Sequence, residues 1–185
     1  MTRCKICKTE FQRRSMTQKC CSPGCAEIYG REQARKEAAK KARAETKMRK
    51  EKSKSIADFK DEAQRQINLY VKWRDWGKPC ISCDKPHKFD DIRHASHFKS
   101  RGSNSSLMFN LWNVNMSCHS CNWKKGGNIA EYLPRLREKI GVDKVEYLLN
   151  APRSRKFDKE YLLRLKAIFA KKAARQKKKL LLSTN

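Results

Sequence analysis

A chain of 185 residues that is 38 % apolar and 35 % charged is too short and too polar for one large core, so one ordinary domain or a few small stapled units are expected. Its 45 Lys and Arg against 19 Asp and Glu leave a formal net charge of +26, a self-repelling excess that points to a polyanionic partner, nucleic acid first. No run reaches the length of a membrane span and no apolar leader opens the chain, so no membrane partner and an intracellular location are expected.

Nine cysteines are available as staples, and their x2 pairing favours metal over disulfides. Cys4 and Cys7 form one knuckle. Cys21 and Cys25 form its second half, with Pro23 and Gly24 turning the chain between them; Cys20 could replace Cys21 as ligand. Residues 1–25 therefore read as a zinc module that can hardly fold without its ion. From Ala26 to about Lys52 there is almost no large apolar residue and no proline. Glu27, Glu32, Glu37 and Glu45 each precede a Lys or Arg by four, the favourable order for helical ion pairs. The stretch to residue 55 is expected as a solvated helical linker, with Gly30 its weak point.

Ser55 followed by Asp58 resembles a helix start, and Ile56, Phe59, Ala63, Ile67, Tyr70 and Val71 follow at near-helical spacing. This apolar stripe reads as core, in a helix ending near Trp76 and Gly77. Cys80-x2-Cys83 and Cys118-x2-Cys121 then supply four thiolates for one tetrahedral Zn2+, although an Fe–S cluster would accept the same set and His87 could stand in for a thiolate. Pulled together, the knuckles close a loop of 34 residues. That suits a strand carrying His97, a return strand carrying Asn113, and a helix near the second knuckle carrying Asn122.

Phosphodiester hydrolysis needs a base beside water and a cation to stabilise charge on the leaving oxygen. His97 is the candidate base, Asn113 the residue that would fix its tautomer, and Asn122 a ligand for a divalent ion. A second ligand should come from the opposite face of the His97 strand, where His94 is preferred to Ser96. Lys99 and Arg101 lie in a loop that could grip a phosphate, or simply face solvent. His119 reads as a surface residue.

Beyond the second knuckle, Lys124 and Lys125 precede two glycines. Asn128 is placed to cap a helix to about Lys139, stopped by Gly141 and strained by Pro134. Asp143 to Leu149 reads as a short helix. Asp158 should cap a last one, with Tyr161, Leu162, Leu165, Ile168 and Phe169 on one side, and its far end gathers Lys171, Lys172, Arg175, Lys177, Lys178 and Lys179 for sequence-independent phosphate contact.

The order H-x15-N-x8-N around two CxxC knuckles resembles the HNH, or His-Me finger, nucleases. The wider pattern CISC, HASHF, NVNMSCHSCN and KKGGN resembles the NinG/Rap recombination endonucleases of lambdoid phages, with CxxC and CSPGC before a charged helix extending the likeness to the N-terminus. The resemblance implies a small α+β fold: a zinc-stabilised ββα-metal unit in residues 56–150, flanked by an N-terminal zinc module, a long charged helix, and a basic helix and tail in 151–185. It implies structure-specific cleavage of branched DNA, D-loops and Holliday junctions, in phage recombination within the host bacterial cytoplasm. His97 becomes general base, Asn113 its orienter, and Asn122 a ligand of the catalytic ion. Related nucleases often place an acid where this chain offers His94 or Ser96, and an imidazole there shifts preference from Mg2+ towards Mn2+, Ni2+ or Zn2+. Paired cuts across a junction favour a homodimer. The rival readings are a zinc protein that binds DNA or RNA without cleaving it, and a protein-protein adaptor.

Overall fold

The computed structural model describes residues 1–88 and 91–183, which divide into two compact units, Met1–Lys54 and Ser55–Asn185. In the first, the two-residue strands β1 (Thr2–Arg3) and β2 (Glu10–Phe11) pair antiparallel, and α1 runs over Pro23–Lys52. Ser22 caps α1 through its side chain, which accepts from Cys25 N, and Pro23 occupies the first turn, where its missing N–H costs nothing. Cys25 is thus already helical, so module and linker form one continuous piece. The helix buries none of its residues. Of the four expected i,i+4 pairs, Glu27–Arg31 alone is within ion-pair distance, at 2.6 Å, among the described residues.

In the second unit, α2 (Ile56–Arg74) opens with a complete capping box between Ser55 and Asp58. Its stripe of Phe59, Ala63, Ile67 and Val71 packs with Val114 and Met116 of the hairpin and with Leu162 and Phe169 of α5 (Lys159–Ser183). Each such fully buried aliphatic side chain contributes roughly 1.5–3 kcal/mol. The apolar side expected of the last helix is present in Tyr161, Leu162, Leu165 and Phe169, which complete the α2 stripe, whereas Ile168 of the same set is exposed. Asp158 caps it as anticipated, accepting from Tyr161 N at 2.7 Å.

The hairpin is β3 (Arg93–His97) antiparallel to β4 (Val114–Cys118), with Ala95 opposite Met116 and His97 opposite Val114. Its other face meets a second cluster, in which Phe98, Leu107 and Ile81 pack on Tyr132 and Leu136 of α3 (Ile129–Ile140) and on Val145 and Leu148 of α4 (Val142–Asn150). Pro134 lies within α3 without ending it. Asn128 does not cap that helix through its side chain; it adopts a left-handed conformation (φ 52°) and donates to Ser82 O instead. At the junction of α2 and the hairpin, buried Asp75 accepts from Arg74 and Lys139 and from Met116 N. This burial raises the carboxyl, but Arg74 and then Lys139 outweigh it and hold the group below the usual carboxylate range. Among the described residues no helix is both long and apolar enough to cross a membrane.

Candidate functional site

Two sets of four thiols converge, Cys4, Cys7, Cys21 and Cys25, and Cys80, Cys83, Cys118 and Cys121, each set with its sulfurs within 4.8 Å of one another. A tetrahedral ion at a Zn–S distance of about 2.3 Å implies S···S edges of about 3.8 Å. The observed Cys83–Cys118 and Cys21–Cys25 edges are 3.8 and 3.9 Å, and Cys7–Cys21 is 3.4 Å. Cys21, not Cys20, belongs to the converging set, and Cys20 is left as a buried thiol outside it.

Backbone N–H groups aim at the sulfurs: Ser82 N and Cys118 N donate to Cys80 Sγ at 3.4 and 3.2 Å, and Cys121 N to Cys118 Sγ at 3.5 Å. Such donors favour thiolate over thiol, the form a metal needs. At Cys4, burial opposes ionisation but is outweighed by N–H groups of Cys21, Ile6 and Cys7, and the thiol falls to about 5. The Cys7 and Cys4 sulfurs, with burial, push Cys21 up to about 12. The donor set, its spacing and these N–H groups fit a divalent, thiophilic ion such as Zn2+ in each cluster. The central cluster is further clasped from behind. Ser82 Oγ donates to Gly127 O at 2.9 Å, and Gly127 N to Cys121 O at 2.8 Å, in a backbone turn (φ +94°) that strongly favours glycine.

Between the central knuckles, the geometry of His97 is specific. Its Nε2 lies 3.2 Å from the Met108 carbonyl, which can only accept, so Nε2 carries the proton and Nδ1 is left with a free lone pair. Burial depresses the imidazole to about 4, the Met108 carbonyl partly opposing and Arg101 assisting, so the ring is neutral at physiological pH. It opens on a cavity of about 430 Å³ lined also by Asp61, Gln64, Arg65, Asn68, Ala95 and Arg101.

Asn113 is fully buried but does not hold the ring. Its amide donates to Lys99 O and Leu107 O at 3.0 and 3.1 Å and accepts from Lys99 N at 2.8 Å, which uses both of its N–H groups. It therefore ties the loop after β3 to the turn before β4, and the carbonyl next to the tied Leu107 is the one that meets His97. Direct orientation is replaced by positioning through the backbone. The same ties make the Lys99 loop a fixed one, and Arg101 is further held by Asp61 at 3.1 Å.

His94, three residues before His97, faces the other side of β3, as strand alternation requires. Its Nε2 is 3.0 Å from Nδ1 of His119, which the sequence had marked as mere surface. Asn122 sits half-buried in a π-helical turn over Ser120–Lys124, the short form in which the expected helix at the second knuckle occurs. Neither His94, Asn113 nor Asn122 lines the His97 cavity. Lys124 and Lys125 are exposed beyond that turn. On α5, Lys171, Arg175-flanking Lys177, Lys178 and Lys179 continue the helix, with Lys172 over the Phe169 ring and Lys177 over Trp73. The cavity residues Asp61, Gln64, Arg65 and Asn68 were missed; their spacing of three and four along α2 marks one polar face of that helix, and was the available signal.

A small, strongly basic α+β fold with two clusters of four cysteines that could hold metal defines the class of protein. The chain matches the family described as "Bacteriophage Lambda NinG protein" over residues 1–180, and it belongs to that family. It is 29 % identical over 188 aligned residues to Protein ninG of Salmonella phage P22, covering 92 % of this chain and 91 % of that one. To Protein ninG of Escherichia phage lambda it is 29 % identical over 162 residues, 78 % of either chain. Protein ninG of Escherichia phage 933W is also 29 % identical, over 160 residues. No solved structure matches the chain.

Proposed function

We propose that this protein is a metal-dependent endonuclease that hydrolyses phosphodiester bonds in branched DNA during phage recombination, with β3, β4 and the turn after them serving as an HNH-like ββα unit. The observation that carries the reading is His97: a neutral imidazole whose Nε2–H is committed to Met108 and whose Nδ1 is free beside a polar, arginine-flanked cavity. Nδ1 takes a proton from water as its oxygen attacks phosphorus, and the bond to the 3′-oxygen breaks, leaving 5′-phosphate and 3′-hydroxyl ends. Arg65 and Arg101 supply positive charge for the phosphate. His94 and Asn122 are the proposed ligands of a divalent ion, Mg2+, Mn2+ or Zn2+; they lie off the His97 cavity, so the ion would supply positive charge to the DNA beside that cavity rather than within it. The lysines of α5, with Lys124 and Lys125, add phosphate contacts, and host cytoplasm is the corresponding location.

A second reading has one observation in its favour. His94, Asn113 and Asn122 lie off the His97 cavity, which suits a zinc-stapled nucleic-acid binder that does not cleave. Incubating the purified zinc-loaded protein with linear duplex, single-stranded, D-loop and four-way-junction DNA, with and without Mg2+ or Mn2+, separates the two. The endonuclease reading expects cation-dependent cutting strongest on the branched substrates; binding to all four with cutting of none leaves only the binder.

A further inference from the structure

We propose that Trp123, backed by His119, is a stacking platform for an unpaired base of a DNA strand. The inference rests on the nucleic-acid reading above and names the substrate feature this part of the molecule would take: single-stranded DNA at a branch, not continuous duplex. Trp123 is 75 % exposed, far more than the other tryptophan on this hairpin, Trp112, at 39 %. Covering such an indole with an apolar or aromatic face is favourable by roughly 25 cal/mol per Å² removed from water. His119 lies nearly parallel to one side of it, with an interplanar angle of 11° and centroids 6.4 Å apart, and His119 is held in turn by His94 at 3.0 Å. Among the described residues no other ring or hydrogen-bond partner engages the indole.

The backbone that presents Trp123 is rigid. Cys121, two residues earlier, belongs to the metal-fit cluster, Lys125 N donates to Ser120 O at 3.1 Å, and Gly127 N to Cys121 O at 2.8 Å. A preordered aromatic loses little freedom on binding, which is what a stacking contact requires. The surroundings select the occupant by charge. Lys85, Asp91, His119 and Lys124 line one cavity, and Asp91 there is ion-paired to both Lys85 and Arg93, so the charge left over beside the ring is positive, with exposed Lys125 adding to it. An apolar protein surface would gain nothing from two lysines beside the ring. A nucleobase, with a π face and a phosphate on each side, matches ring and lysines together. Bases inside a duplex are already stacked on both faces, so the free face of an indole is offered to a base without a neighbour.

The test uses the full zinc-loaded chain, with fluorescently labelled oligo(dT) and a labelled linear duplex of equal length, without added Mg2+ or Mn2+. For Trp123→Ala, affinity for oligo(dT) should fall about 5- to 150-fold, the range of one stacked base, while duplex affinity changes less than about twofold. Trp123→Phe should restore most of the loss, and oligo(dT) should quench less indole emission in it than in the natural protein. Two bound zinc ions per chain in each variant establish that the fold is intact. Equal oligo(dT) affinity for Trp123→Ala overturns the platform, as does an equal loss on both DNAs. Failure of the natural protein to bind either DNA overturns the nucleic-acid reading itself, and absence of cleavage bears only on the proposed chemistry.

Discussion

The two cysteine clusters have the same ligands and nearly the same sulfur spacing, yet stand in opposite surroundings. Around the N-terminal cluster, Cys4 and Cys20 are the only buried ones among the described residues of that unit, and the attached α1 buries nothing. In the unit of the central cluster, Cys80, Cys118 and Cys121 are buried, and two hydrocarbon clusters accompany them, one built on α2 and α5, the other on α3 and α4. The same ion, held in each cluster, would thus have two physical tasks. In the first unit it would replace a core. In the second it would fix the two ends of a hairpin whose sheet faces are already packed.

Chelating the metal is the largest perturbation, because zinc binding by such clusters contributes on the order of 10–16 kcal/mol. Amide hydrogen exchange after chelation should show residues 1–22 losing all protection while Phe59–Val71 and Leu162–Ala173 keep most of theirs. Uniform loss across both units would erase the distinction between them.

Next in size is Asn113→Ala, which strips partners from three backbone groups in the tied loop. Urea unfolding should register a loss of about 3–5 kcal/mol, with cleavage falling as the Met108 carbonyl drifts from His97. A loss below 1 kcal/mol would mean that the hairpin is held by its metal alone.

Acid gives a third handle. The folded His97 titrates at about 4 against an ordinary 6.5, so between these values the unfolded chain binds more protons. The stabilisation is therefore complete above pH 6.5 and is lost as pH falls towards 4, roughly 3 kcal/mol in all. Comparing the natural protein with His97→Gln over that window isolates the term from acid release of zinc, which both share. Identical pH curves would place the imidazole in solvent. The smallest effect is expected on α1, where Glu27→Gln should cost at most about 0.5 kcal/mol by thermal melting, since the pair it breaks is exposed.

What was legible in the sequence was what spacing dictates. The CxxC pairs, the capping box at Ser55, the apolar stripe of α2 and the cap at Asp158 all follow from local chemistry, and all are present. What was not legible depended on the third dimension. Asn113 was matched to a tautomer-fixing role because it and His97 were expected on facing strands, but Asn113 precedes β4, and its buried amide satisfies the nearest backbone groups first, those of Lys99 and Leu107. His119 carried no helical or strand period that could link it to His94; only the return of β4 brings them together. The apolar side of α5 was legible in Leu162 and Phe169, but Ile168, assigned to the same side, is exposed, and the buried side instead runs on to Ala173 within the basic stretch.

The central proposal is that one imidazole activates water for phosphodiester cleavage. The most direct measurement is the single-turnover rate on four-way-junction DNA with Mg2+ or Mn2+, for the natural protein and for His97→Ala of equal zinc content. The account predicts a rate reduced about 10²- to 10⁴-fold with DNA affinity within twofold of the natural protein. An unchanged rate in that variant would contradict it.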